Sequence, residues 1–479
     1  MGDTVISLAA DFPTSSREAW LGLAVRTLKG AGLESLVSRS ADGLALQPLY
    51  ARDDSTTPAA FTPAPRGGEG SWDIRAEVGH PAPREANRQI LEHLRGGASS
   101  VLIQIDPSGR AGVAVGETDG LARALDGVLT DLAPVALDAG FLGVACADWL
   151  SEAAKASPAA PLAFHLDPLS AWVVAGVSPG PIEAHLIAAA NVAARLTQVH
   201  PRASLLLASG RAIHEAGGSE AQELAFAAAA ALAYAKAMVR AGVPLDDAFA
   251  RIVLGLAIDA DPFLAIAKLR AARVIWAKVM LACGVDIPAK IEARSSGRML
   301  TRADPWTNLV RLTAAGFAGA VGGADAMALG AFTDATGPAA PLARRMARNT
   351  QLILMEEAHL GRVSDPLAGA GSIEALTRAL GEAAWTLFVT IEAAGGIVAA
   401  LREGVIAAPV LEAREALRTA IAAGDTRILG VTDFVNADDK PVEIEAVDPV
   451  AVDAPSPRLP GPDSRCPPLA PIRLEDLAQ

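Results

Sequence analysis

Aromatic residues make up only 4% of this 479-residue chain, and just two of them are tyrosines, Tyr50 and Tyr234. The core must therefore be filled by Ala, Leu and Val. Cysteine is scarce as well. Cys146, Cys283 and Cys466 lie far apart, with no C-x-x-C pair and no even set. That excludes a disulfide scaffold and fits buried thiols in a reducing cytoplasm. Positive charge is in deficit: 41 Lys and Arg stand against 54 Asp and Glu, a formal charge of −13. Such a balance argues against a nucleic-acid or anionic-membrane surface. No apolar run reaches the ~18 residues that span a bilayer. The Ala-rich run at 225–235 gives way to Lys236 and Arg240 and reads as buried helix. The first eleven residues carry Asp3 and no basic stretch, so no signal peptide is expected. Catalytic motifs are missing too: no Walker loop, H-E-x-x-H, G-x-S-x-G or G-x-G-x-x-G. The seven histidines show no metal-ligand spacing, so no metal site is expected. These absences leave cofactor-led and non-catalytic roles open.

What is present is an alternation of short β-rich runs with helical segments. Eight strands are expected, at 101–106, 134–138, 162–166, 204–208, 252–258, 289–294, 326–329 and 362–367. Helices between them imply a parallel sheet, and eight strands imply a closed (β/α)8 barrel. Two helices carry explicit start signals. Ser219 with Gln222 forms a capping box for a helix running to Arg240. Asp261-Pro262 caps another, whose apolar stripe is Ala265, Leu269, Ala272, Trp276, Val279 and Cys283. Lys268, Arg270, Arg273 and Lys278 fall largely off that stripe, so one face of this outer helix is expected on the barrel. Ahead of the barrel, Ser15 or Ser16 can cap a helix through Trp20, Leu23, Val25 and Leu28, and 42–50 can supply a short strand. The Pro-, Gly-, Thr- and Ser-rich 51–71 reads as a linker. The expected organisation is an N-terminal extension and linker at 1–71, the barrel and following helices at 72–436, and a Pro-rich tail or linker at 437–479.

Several blocks carry a resemblance to a known family. They are W-D-I-R at 72–75, E-A-N at 85–87, A-K-L-R-A-A-R-V-I-W-A-K at 267–278, G-G-A-D-A-M at 322–327, A-R-N-T-Q at 347–351 and R-V-S-D-P-L-A-G-A-G-S at 362–372. In this order they resemble methylmalonyl-CoA mutase, an adenosylcobalamin-dependent isomerase. The middle blocks resemble its small, or beta, subunit in the bacterial heterodimeric enzyme: L-D-G-V-L-T-D-L-A-P-V-A-L-D-A-G at 125–140, H-L-D-P-L at 165–169 and I-H-E-A-G-G-S-E-A-Q-E-L-A at 213–225. The resemblance spans about residues 12–440.

It also exposes substitutions. Catalytic family members open the barrel with W-x-I-R-Q-Y, whose Tyr packs on substrate; here Glu77 stands at that position. The aromatic arm that grips coenzyme A reads G-G-E-G-S at 67–71, with Arg66 just outside it. Arg211 and Ala212 replace a substrate-contacting Tyr–His pair, and His214 takes a Gln position. Lys290 aligns with a carboxylate-clamping Arg, and Asp325 and Ala328 replace a Gln and a His. As ordinary structural residues, Glu77 would be solvated or ion-paired, His214 a polar neighbour of the Ser219 helix, and Asp261 a cap. Lys290, Asp325 and Ala328 are then relics of a substrate pocket. No D-x-H-x-x-G of a C-terminal cobalamin domain stands in the sequence, so that domain is expected to be absent.

The resemblance implies a non-catalytic structural subunit in a cytoplasmic complex that interconverts methylmalonyl-CoA and succinyl-CoA. It implies the large (alpha) subunit as partner and adenosylcobalamin bound there, with no cofactor on this chain. Two alternatives stay open: an active acyl-CoA mutase chain served by a separate cobalamin-binding polypeptide, and a transient chaperone-like or regulatory partner.

Overall fold

Residues 16–50, 71–455 and 461–478 are described by the computed structural model. The expected 51–71 linker, apart from Ser71, and the centre of the Pro-rich 455–462 segment lie outside them. Eight parallel strands close into a barrel: β1 (Asp73–Val78), β2 (Ser100–Gln104), β3 (Val135–Asp138), β4 (Ala163–Leu166), β5 (Ser204–Ser209), β6 (Ile252–Ile258), β7 (Ile291–Ser295) and β8 (Ala326–Ala328). β8 pairs with β1, aligning Ala328 with Arg75, and no edge is left open.

Seven of the eight expected strands are present, and one is not. The 362–367 segment follows a short 3-10 turn (Leu360–Arg362) and forms no strand. Pro366 has no N–H to give a ladder, and the Asp365 carboxylate is taken by Arg270 at 3.1 Å. The eighth strand is β1. Its D-I-R-A-E-V alternation has a period of two, but the charged set points to the barrel axis and the apolar set to the helices. Ile74 and Val78 belong to the main core, whereas Arg75 pairs with Glu292 across the axis.

The surrounding helices follow their sequence signals. In chain order they include α1 (Arg17–Thr27), α2 (Pro83–Arg95), α3 (Pro168–Ala175), α4 (Arg211–Glu215), α5 (Glu220–Arg240), α6 (Pro262–Ala282), α7 (Asn308–Val321), α8 (Pro341–Leu352), α9 (Gly371–Ala393) and α10 (Ala407–Ala423). Both halves of the Ser219–Gln222 capping box form at the start of α5. Asp261 caps α6 by accepting the Leu264 N–H at 3.2 Å. α6 departs from the one-faced helix expected, because Lys268, Arg270 and Arg273 are all buried. Each is anchored to a different element. Lys268 reaches Glu223 on α5 at 2.6 Å, Arg270 reaches Glu374 on α9 at 2.7 Å, and Arg273 reaches Asp325 ahead of β8 at 2.9 Å. Buried charge persists where each cation has such a partner.

The C-terminal stretch lies along the barrel. Trp172 Nε1 on α3 donates to the Ser464 carbonyl at 3.0 Å, and the Ile472 N–H donates to the Glu215 carbonyl at 2.8 Å. The Arg302 N–H donates to Glu475 at 2.6 Å. Proline removes donors from regular structure but does not stop side chains and carbonyls from docking. Gly116 is required where this stretch crosses the barrel, since a Cβ there would lie 1.8 Å from the Asp453 carbonyl oxygen. α1 is the opposite case: it is capped by Ser16 and has no buried residue. A two-stranded ribbon follows it, pairing Ser38 with Leu46.

Candidate functional site

The inward side chains of the strands define the axis. Barrel interiors are ordinarily filled by branched apolar residues. Here Leu102, Ala136 and Ala163 make only a small apolar cluster, separate from the main core. Beside them the axis carries charge. Arg75 contacts Glu292, donates to Asp73 at 2.7 Å, and donates to Ser100 at 3.0 Å. Arg294 donates to Glu292 at 2.6 Å and to Asp138 at 2.7 Å. Glu292 therefore sits between two guanidiniums, with its side chain 1% exposed. Ala328, fully buried, aligns with Arg75 on one side and Arg294 on the other. Its small side chain leaves the space those guanidiniums fill.

The electrostatics follow from this packing. Burial works against the Glu292 carboxylate, but Arg294, His165 and Arg75 outweigh it and hold its carboxyl well below the usual range. Burial is likewise outweighed at Arg294, where Glu292 and Asp138 hold the proton more firmly. His165 lies beside them, 3.7 Å from Glu292, in a left-handed backbone conformation with φ of 49°. Burial first, then Arg75 and Arg294 against the opposing Glu292, push it down to about 4. It is a neutral imidazole at pH 7, and neither ring nitrogen has a hydrogen-bond partner.

At the C-terminal end of the strands, where barrel active sites are built, a cleft of ≈ 550 Å³ opens beside Glu77. His80, Gln104, Arg110, Asp334 and Arg348 line it. Burial in the cleft, and then the Glu77 carboxylate, push Asp334 up to about 7. Arg211 and Ala212 sit just beyond β5 at the same end, at the start of α4. Arg211 lies 3.6 Å from Glu215, and Ala212 is buried. His214, one turn on, is fully buried, with Nε2 2.8 Å from Ser296 Oγ. Burial, then Arg298 and Lys268, push its pKa far down.

Lys290 and Asp325 are not part of this end. They precede β7 and β8 and line the opposite, N-terminal mouth, a hollow of ≈ 590 Å³. The Lys290 ammonium donates to the Ala250 carbonyl at 3.0 Å. Asp325 accepts the Ile291 N–H at 2.7 Å and pairs with Arg273. The expected pocket of Lys290, Asp325 and Ala328 therefore does not assemble. Asp325 joins α6 to the bottom of the barrel. The guanidinium that faces the axis from β7 is Arg294. Asp365, too, is held by α6, through Arg270. The residues that dominate the axis, Arg75, Asp138, His165, Glu292 and Arg294, were missed as a site. Their signal was charge at alternate positions in strands covered on both faces, as in D-I-R-A-E and I-E-A-R.

This (β/α)8 frame has a match among known families: the methylmalonyl-CoA mutase family model covers residues 66–457. The chain belongs to the methylmalonyl-CoA mutase family. Among similar proteins, the methylmalonyl-CoA mutase small subunit of Streptomyces virginiae is 36% identical over 466 residues, covering 92% of this chain and 74% of that protein. The small subunit of Propionibacterium freudenreichii subsp. shermanii is 31% identical, covering 82% of this chain and 64% of that protein. The methylmalonyl-CoA mutase of Escherichia coli K12 is 27% identical, covering 91% and 67%. The chain thus spans 64–74% of the length of these mutases. Among the described residues no helix is long and apolar enough to cross a membrane.

Proposed function

We propose that this chain is the structural, non-catalytic small subunit of an adenosylcobalamin-dependent methylmalonyl-CoA mutase in the cytoplasm, partnered by a large subunit that carries the reaction. The observation that carries this reading is the closed axis. A substrate carboxylate or thioester needs unsaturated donors at a defined point in a water-free pocket. In this barrel the two axial guanidiniums are already bonded to Glu292, Asp73 and Asp138. Bringing substrate onto the axis means breaking buried ion pairs, which costs several kcal/mol per uncompensated charge. The same test bears on the cofactor. Adenosylcobalamin supplies a radical beside a bound substrate, and the donors that would hold that substrate on the axis are taken by Glu292, Asp73 and Asp138. No step is therefore routed through it, and the cofactor is assigned to the partner.

The second support is α1. An isolated 11-residue helix is marginal in water, yet α1 buries no residue and leaves Leu23 and Val25 at least half exposed. A helix of this kind is stabilised by what it packs on, and the N-terminal extension is assigned here to wrapping the large subunit through Trp20, Leu23 and Leu28. Co-expression with a mutase large subunit tests this. Co-elution at one-to-one stoichiometry supports a permanent subunit. Sub-stoichiometric, dissociable binding favours a transient chaperone-like partner instead.

A further inference from the structure

A second polar cluster lies off the axis, where α4, α5 and the β6–α6 connection meet. We propose that His214, Glu220 and Asp259 form a binding site for one divalent first-row cation, of the Zn²⁺ or Mn²⁺ type. One ring nitrogen of His214 and one carboxylate oxygen from each of Glu220 and Asp259 lie within 4.8 Å of one another. Donors on one such metal at about 2.0–2.2 Å lie no more than about 4.3 Å apart. In tetrahedral coordination they lie about 3.3–3.6 Å apart, so binding draws the three side chains together by up to about an ångström.

Two features separate this cluster from an ordinary patch of acids. Two of its three donors are buried, with His214 at 0% and Glu220 at 5% exposure, and they include an imidazole. Glu220 Oε2 has no hydrogen-bond partner, and His214 Nε2, the ring nitrogen 3.9 Å from Asp259, would exchange its contact with Ser296 Oγ for the ion. A buried carboxylate oxygen left without a donor is unfavourable, and a bound cation satisfies it. By contrast, neighbouring Glu223 is fully used, accepting the Ala257 N–H at 2.6 Å and the Lys268 ammonium at 2.6 Å.

The charge around the site leaves room for a cation. Asp42 and Asp261 face the same cluster, together with Glu220, Glu223 and Asp259. The fixed cations facing these five carboxylates are Lys268, held by Glu223, and Arg298, 3.7 Å from Asp259. Arg211 faces His214 from α4 and is turned toward Glu215. Two ammonium- or guanidinium-type charges do not balance five carboxylates. One imidazole with two carboxylates suits a borderline divalent ion better than Ca²⁺ or Mg²⁺, which take all-oxygen shells. The three ligands come from three separate segments, so no spacing in the sequence reveals them. Bound there, the ion would tie the β6–α6 connection to the start of α5 at the C-terminal end of the barrel. The proposal does not depend on the subunit role above.

The test uses the full chain, stripped with chelator and titrated with ZnCl₂ and MnCl₂ in a calorimeter. CoCl₂ is added in parallel to follow visible absorption. The expected result is one saturable ion per chain, with a cobalt band showing mixed nitrogen and oxygen ligation. Glu220→Gln and Asp259→Asn should each weaken binding by at least about tenfold. If Glu220→Gln does not fold by circular dichroism, Asp259→Asn, whose position is partly exposed, carries the comparison. No saturable binding of any of the three ions overturns the proposal. So does binding that survives unchanged in a folded Asp259→Asn variant, which would mark adventitious surface sites.

Discussion

Glu292→Gln removes one charge from the axis at nearly constant volume. In the wild type the Glu292 side chain, 1% exposed, is shared by Arg75 and Arg294. After substitution Arg75 keeps Asp73 and Ser100, while Arg294 keeps only Asp138, whose side chain is 45% exposed. Breaking a buried pair by removing one partner costs about 3–5 kcal/mol, and here two guanidiniums lose the same partner. The sign with pH follows from the lowered carboxyl of Glu292. A folded-state pKa below the unfolded one contributes stability above about pH 4.3, which is lost as pH falls through the folded value. The full penalty should therefore appear at pH 7 and narrow only in strong acid. Urea unfolding followed by circular dichroism measures it as a lowered midpoint. The control replaces the three axial residues together, Arg75→Met with Glu292→Leu and Arg294→Met. Exchanging buried ion pairs for apolar residues is often neutral or stabilising; Asp73 and Asp138 lose their guanidiniums but reach solvent, so this variant should recover part of the loss. A wild-type midpoint for Glu292→Gln, or a triple variant weaker than the single one, would refute the reasoning.

Other outcomes follow from the same geometry. His165, lowered to about 4, stays neutral while the unfolded chain already takes up a proton near pH 6.5. Stability is then complete above about pH 6.5 and falls by on the order of 3 kcal/mol as pH drops toward 4. His165→Asn, which tolerates the left-handed backbone, should flatten that slope in pH-dependent urea midpoints. A residual slope should remain from His93, which burial, then Arg348, also push down to about 4, and from His214, lowered by burial and Arg298. Ser219→Ala should cost about 1 kcal/mol in the same assay by removing the α5 capping box. Leu23→Asp with Val25→Asp on the exposed α1 should leave the midpoint of the isolated chain within about 0.5 kcal/mol. The same pair should reduce co-elution with the large subunit on a sizing column.

Seven strands and both well-capped helices were legible because their signals are local. Ser219 needs only Gln222, and Asp261 needs only Pro262 and the first turn of α6. β1 escaped because D-I-R-A-E-V puts charges on its inward face, where an apolar set is the usual expectation. The burial of Lys268, Arg270 and Arg273 was hidden for a related reason. Periodicity reports one apolar face, whereas α6 lies between the barrel and α9, and its charges are matched by Glu223, Glu374 and Asp325 from distant positions. Alignment to a family placed Glu77, Arg211 and Ala212 at the catalytic end of the barrel. Lys290 and Asp325, one residue ahead of β7 and β8, fell at the other mouth. A strand carries residues from one end of the barrel to the other within a few positions, so a small displacement in register changes which pocket a side chain enters.

The most direct measurement is turnover by the isolated, full-length chain supplied with adenosylcobalamin and methylmalonyl-CoA. The account predicts no succinyl-CoA above background until a large subunit is added, and turnover once the complex forms. Succinyl-CoA produced by this chain alone would contradict the closed axis and return the barrel to the class of active mutases.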